Sequence, residues 1–157
     1  DRTSDLGDLI KTWAVSKTEK GEIEVVLEKC TKTYIRFKTD YISRLMPDTE
    51  EPDSGWNTKN HYFYEIRNID GREFFIQLSL SAKNLTDEQR EVCKKINEYF
   101  PSRLQKENWQ WRTSFVTKHS KTDEELAGEH IWEQLDKKLE EIKAFEDKLK
   151  TIFEECC

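Results

Sequence analysis

Apolar and polar residues alternate most sharply between Lys59 and Phe115. From His61 to Arg67 the chain reads His-Tyr-Phe-Tyr-Glu-Ile-Arg, so Tyr62, Tyr64 and Ile66 share one face of an extended strand. From Glu73 to Leu80, Phe74, Ile76, Leu78 and Leu80 do the same. Asn68-Ile69-Asp70-Gly71 separates the two runs, and its Asp-Gly pair is a strong hairpin signal. A third run, Trp109 to Phe115, also alternates. It is expected to place Trp109, Trp111, Thr113 and Phe115 on one face and Gln110, Arg112, Ser114 and Val116 on the other. Between the second and third strands the period lengthens: Val92, Ile96 and Tyr99 or Phe100 mark the buried stripe of a helix over 86–100. Thr86 and Gln89 form its capping box, Leu85 is placed for a hydrophobic staple, and Pro101 stops it. The predicted core is strand, turn, strand, helix, strand.

Outside this core the spacing is helical. Ile23, Val26, Leu27, Cys30, Tyr34, Phe37, Tyr41, Ile42 and Leu45 step by three and four, the stripe of a long helix over 22–46 ended by Pro47. Thr31, Thr33, Tyr34 and Ile35 carry strand propensity and mark where that helix would break. In the last third, Thr122 and Glu125 form a second capping box opening a helix over 122–154, with its stripe at Ile131, Leu135, Leu139, Ile142, Phe145, Leu149 and Phe153. Such a helix spans about 45 Å. It outreaches a small sheet, so its end is expected on the first long helix or on a partner chain. Residues 1–20 form an N-terminal arm in which Leu6, Leu9, Ile10 and Trp13 make an amphipathic turn or two. Residues 47–58 form an acidic, breaker-rich loop, with Trp56 closing it onto the sheet. The fold class is α+β: a small, mainly antiparallel sheet with a ββαβ core packed against long N- and C-terminal helices, one domain over 1–157.

Composition narrows the functional classes. The chain has 157 residues, 37% of them charged and 11% aromatic, enough apolar mass for one real core. It has no apolar run of about 18 residues and no charged-then-apolar leader, so neither a membrane span nor a signal peptide is expected. The first residue is Asp rather than Met, as in a piece cut from a longer protein. The net charge of −6 disfavours nonspecific nucleic-acid binding, which needs a positive footprint. The four cysteines, Cys30, Cys93, Cys156 and Cys157, include no C-x-x-C pair. Cys30 and Cys93 read as core thiols of a protein in the reducing cytosol.

No catalytic constellation emerges. A restriction-type nuclease needs an Asp on one strand and Asp/Glu-x-Lys on the next, to hold Mg²⁺ and position water. The hairpin offers Glu65, Asp70 and Glu73 but no Glu-x-Lys on a strand. His61, His119 and His130 have no nucleophile motif beside them, and the five glycines form no phosphate-cradling loop. No catalytic residue, metal site or cofactor is therefore expected. Cations near sheet aromatics can stack bases. Arg67, Arg72 and Arg112, with Trp109 and Trp111, are the candidate nucleic-acid-binding residues, and Arg103 and Lys106 lie near them in sequence. Two long amphipathic helices and an acidic face fit protein association, as a homodimer or with another partner, and no membrane.

The long helical stripe, Tyr-Phe-Tyr-Glu-Ile, Arg-Glu-Phe-Phe-Ile-Gln-Leu, a helix ending near Phe100, Trp-Gln-Trp-Arg and a C-terminal helix follow one another from about Thr33 to Leu149. In this order they resemble an uncharacterised bacterial domain found after restriction-like PD-(D/E)XK nuclease modules. The resemblance implies an accessory domain of a DNA-processing or defence protein whose catalytic motif lies on another part. None of that family's catalytic residues has a counterpart here. The expectation is a non-catalytic association domain, with a nucleic-acid-binding sheet surface or a small-ligand pocket as alternatives.

Overall fold

The computed structural model of the chain describes residues 1–50, 55–101 and 109–154. A first helix, α1 (Arg2–Glu19), is followed by strands β1 (Glu24–Val25) and β2 (Tyr34–Lys38) and a short helix α2 (Asp40–Leu45). Strands β3 (Tyr62–Ile69) and β4 (Glu73–Ser81) form the central hairpin, followed by α3 (Asp87–Tyr99), β5 (Trp111–Val116), β6 (Ser120–Lys121) and α4 (Gly128–Glu154). All pairings are antiparallel in the order β1-β2-β3-β4-β5, with β6 paired to the start of β4. The α+β class, the antiparallel sheet and the long helices at both ends are as expected.

The hairpin follows from its turn. Asp70 and Gly71 both have positive φ, 56° and 69°, and Arg72 N–H donates to Ile69 O at 2.9 Å. Two left-handed residues are what the twist of a tight hairpin asks for. On β3 and β4, Tyr62, Tyr64, Ile66, Phe74, Ile76, Leu78 and Leu80 are at most 1% exposed and face the helices. Ile35 and Phe37 extend that face onto β2, and residues of all four helices join it in one cluster. The capping box of α3 is present in full, and Gln89 Nε2 also donates to Pro47 O at 2.7 Å.

Four expectations are corrected. The N-terminal arm is an 18-residue helix, capped by Asp1, and it is this element that serves as the long N-terminal helix. Residues 22–46 are not one helix: they hold β1, a 3-10 turn at Leu27–Lys29, β2 and α2. The steps of three and four concealed a strict alternation, since Ile35 and Phe37 are buried while Tyr34, Arg36 and Lys38 are not. Thr31 adds a local reason, because its hydroxyl accepts from the N–H groups of Thr33 and Tyr34 and offers the backbone a turn in place of a helix. The Thr122/Glu125 box does not form. Thr122 is spent on the hairpin turn, its hydroxyl donating to Gly71 O at 3.0 Å and its N–H to Arg72 O at 2.8 Å, and α4 begins only at Gly128.

The fourth correction concerns β5. Its register with β4 shifts between Leu78, opposite Phe115, and Ser79, opposite Thr113. Ser114 is the extra residue of a β-bulge, which reverses the alternation beyond it. Phe115 therefore stays on the core face, stacked on Phe145 at 4.2 Å, but Arg112 shares that face, opposite Leu80. Trp111 and Thr113 lie on the other side, with Ser81 and Ser79.

The 27 residues of α4 reach about 40 Å. Its far end meets this chain's own α3, with Lys95 Nζ 5.3 Å from the Phe153 ring and Phe145 edge-on to Phe100. Its middle holds α1: Trp13 Nε1 donates to Asp136 at 3.0 Å and Lys17 pairs with the same carboxylate at 2.9 Å. Cys93 is buried in the core, which pushes its thiol up to about 12, and Cys30 is half-buried. Cys156 and Cys157 lie outside the described residues. No helix among the described residues is long and apolar enough to cross a membrane.

Candidate functional site: the open face of the sheet

The alternate side chains of the strands build the sheet's second face. Register places Arg36 opposite Glu65, Glu65 opposite Gln77, and Gln77 opposite Val116. This polar row crosses the strands between two others. Tyr34, Arg67 and Phe75 form the row on one side, and Phe63, Ser79 and Thr113 the row on the other.

The polar row is a closed network around one carboxylate. Glu65 is 4% exposed. Arg36 Nε donates to its Oε2 at 2.7 Å, and Gln77 Nε2 and Ser79 Oγ both donate to its Oε1, the former at 3.1 Å. Gln77 Nε2 also donates to Ser79 Oγ at 3.2 Å. Burying a charge is costly unless it is paired and hydrogen-bonded, and here both carboxylate oxygens are served. Gln77 thereby commits its amide protons, and its carbonyl oxygen is what remains for a guest. Arg36 is steadied from behind, with Nη1 donating to Lys29 O at 3.1 Å.

Aromatic groups wall this floor. Trp56 packs edge-on against both Phe63, at 4.9 Å, and Trp111, at 4.6 Å. Gly55, at φ +99°, permits the approach, since an added Cβ would sit 2.8 Å from the Trp111 ring. Tyr34 carries two guanidinium groups near its ring, Arg67 at 4.3 Å and Arg36 at 4.8 Å. A cleft of about 400 Å³ opens between Tyr34, Trp56 and Trp111 above Glu65, Gln77 and Ser79. A second cavity, of about 500 Å³, lies on the other side of Trp111, against Lys83 and Trp109. Trp111 is half-exposed between the two. Arg67 Nε, buried beside the Tyr34 wall, has no hydrogen-bond partner among the described residues. Farther along, His119 stacks on Phe75 at 4.1 Å and pairs through Nδ1 with Glu73 at 2.7 Å.

The five residues expected to bind nucleic acid are divided by the fold. Trp111 and Arg67 lie on the open face. Arg72 is exposed at the hairpin turn, at the opposite end of β4 from Ser81, the partner of Trp111. Arg112 borders the cleft, but its guanidinium lies 4.6 Å from the Trp109 ring on the side of Cys93. Burial lowers its pKa, with Cys93 acting in the opposite direction. Trp109 packs against the core cluster. Arg103 and Lys106 lie outside the described residues.

Sequence reasoning missed Arg36, Trp56, Glu65, Gln77 and Ser79 as site residues. For Glu65, Gln77 and Ser79 the signal existed: they are the polar positions that alternate with the core positions of two correctly read strands. Arg36 was hidden by the helical reading of its segment. Among the described residues no group of three or more His, Cys, Asp or Glu is arranged to hold a metal ion.

No family model matches this chain, and neither a curated protein nor a solved structure matches it.

Proposed function

We propose that the domain is a non-catalytic binding module whose open sheet face takes unpaired bases of a single-stranded nucleic acid, as an accessory part of a DNA-processing protein. The observation that carries this reading is Trp111, half-exposed over a cleft that has a fixed polar floor and aromatic walls. Bases splayed from a single strand are held by stacking on aromatic or guanidinium planes and by hydrogen bonds along their edges. Trp111 offers the first. The Gln77 carbonyl in the cleft floor offers the second. The resemblance to a domain that accompanies restriction-like nucleases favours a nucleic-acid ligand over a free metabolite.

The net charge of −6 shapes the expected binding. Bulk attraction is absent, so affinity rests on stacking, with Arg36 and Arg67 able to meet one or two phosphates. For single strands log K falls by about 0.7 per neutralised phosphate for each decade of salt, so a slope of roughly −0.7 to −1.4 is expected.

The test is a titration with a ten-nucleotide mixed-sequence DNA or RNA strand, followed by tryptophan fluorescence at low salt. Saturable quenching is expected, with Trp111→Ala weakening binding by about 1–3 kcal/mol. An unchanged signal with both strands at low salt would remove the proposal.

A further inference from the structure

A second surface, remote from the open sheet face, has a different chemistry. Where α1 passes the start of α4, a groove of about 790 Å³ is floored by Leu9, Leu126 and Trp132. All three are half-buried and pack against the core from its edge. Trp132 is fixed in this position because its Nε1 donates to Leu9 O at 3.1 Å. Around this apolar floor stand five carboxylates: Asp5 and Asp8 on α1, Glu124 and Glu125 before α4, and Glu129 in its first turn. Among the described residues none of the five forms an ion pair. Among the described residues the one cation that lines the groove is Arg2, and its guanidinium is taken up by backbone and hydroxyl oxygens and not by the carboxylates. It donates to Gly71 O at 2.9 Å, to Glu124 O at 3.0 Å, to Thr122 Oγ1 at 2.9 Å and to Asp123 O.

We infer that this groove docks a basic segment of a partner protein, one carrying a bulky apolar residue flanked by lysines or arginines. The apolar floor accepts the anchor, and the carboxylate rim meets the flanking cations. Complementary charge of this kind selects partners and speeds encounter more than it adds affinity. It also excludes the other occupants. A nucleic acid would bring phosphates against five carboxylates. A second copy related by a two-fold axis would bring the same acidic patch against itself, because such an interface is self-complementary. This inference is independent of the open-face proposal.

The experiment uses a dye-labelled peptide of about a dozen residues in which two leucines are flanked by lysines and arginines, read by fluorescence anisotropy against the full chain. Saturable binding at micromolar protein is expected. Replacing both leucines by serine at constant charge should weaken it at least tenfold, and so should the double variant Asp8→Lys with Glu129→Lys. Glu125→Lys lies outside any helix or strand and provides a second charge reversal should the double variant lose its circular-dichroism signature. Equal binding of the leucine and serine peptides would overturn the inference, because only nonspecific charge attraction would remain. Unchanged binding by the charge-reversed variants, or no binding at all, would overturn it as well.

Discussion

Glu146 shows how one residue beneath the sheet sets a pH dependence for the fold. Its Oε2 accepts from the hydroxyls of Thr39, at 2.7 Å, and Tyr64, at 2.8 Å. Tyr62 completes the arrangement by donating to Thr39 O at 3.0 Å. Burial raises the Glu146 pKa, and the bonds from Thr39 and Tyr64 oppose the rise without cancelling it. The sign then follows. Below the ordinary value of 4.5 both folded and unfolded chains hold the proton, and the group gives no pH slope. As pH climbs past 4.5 the unfolded chain releases its proton first, so stability falls until the folded carboxyl also ionises. Glu146→Gln keeps an acceptor for both hydroxyls and has no proton to release. Its urea midpoint is expected to vary less between pH 4.5 and neutrality than the parent's, and to match or exceed it at pH 7.5. Glu146→Ala instead orphans the fully buried Tyr64 hydroxyl and should cost about 1–3 kcal/mol. A Gln variant less stable than the Ala variant at pH 7.5 would refute this account.

At the scale of elements, what could be read from the sequence was what local rules govern. The β3–β4 hairpin and the α3 capping box depend on a few adjacent residues, and both stand where Asp70-Gly71 and Thr86/Gln89 place them. What stayed hidden was decided by distant partners. β2 is a strand because β3 offers it an edge, and the bulge at Ser114 exists only in the register between β4 and β5. That single residue brings Arg112 onto the core face with Phe115 and turns Trp111 to the open face, and no window of sequence around it contains the cause. The polar floor of the cleft was half-readable: Glu65, Gln77 and Ser79 follow from the alternation, but Arg36 could join them only once β2 was paired.

The hairpin turn also joins elements remote in sequence. Gly71 O accepts from Arg2 and from Thr122, and Asn68 Nδ2 donates to Thr3 O at 2.8 Å and Lys32 O at 2.9 Å. A Cβ on Gly71 would meet the Arg2 backbone at 2.7 Å, whereas one on Gly21 would meet nothing within 4 Å, and both glycines have positive φ. Gly21→Ala should therefore cost only the backbone term, about 1–2 kcal/mol. Gly71→Ala should cost that and the displacement of α1 as well. Urea denaturation of the two variants compares them directly. Equal losses would mean that the turn does not seat the helix.

For the molecule as a whole, α1 is the element on which both proposed surfaces depend. Its Leu6, Ile10, Trp13 and Ala14 are all 0% exposed, so the first helix is part of the core and not an appendage. Burying its three large side chains stabilises by about 5–9 kcal/mol at roughly 1.5–3 kcal/mol each. That is comparable with the whole net stability of an ordinary domain, about 5–15 kcal/mol. The helix also braces β2: a Cβ on Gly7 would lie 2.6 Å from Lys32 O, so α1 runs directly against the segment that leads into Tyr34 and Arg36. Removing residues 1–20 should thus strip one wall of the acidic groove, uncover the core face of the sheet and free the strand that carries the Tyr34 wall of the cleft. A chain beginning at Gly21 is expected to show no cooperative thermal transition by near-ultraviolet circular dichroism, and to lose any oligonucleotide and basic-peptide binding together. A sharp transition near the parent's midpoint would make α1 dispensable and detach it from both surfaces.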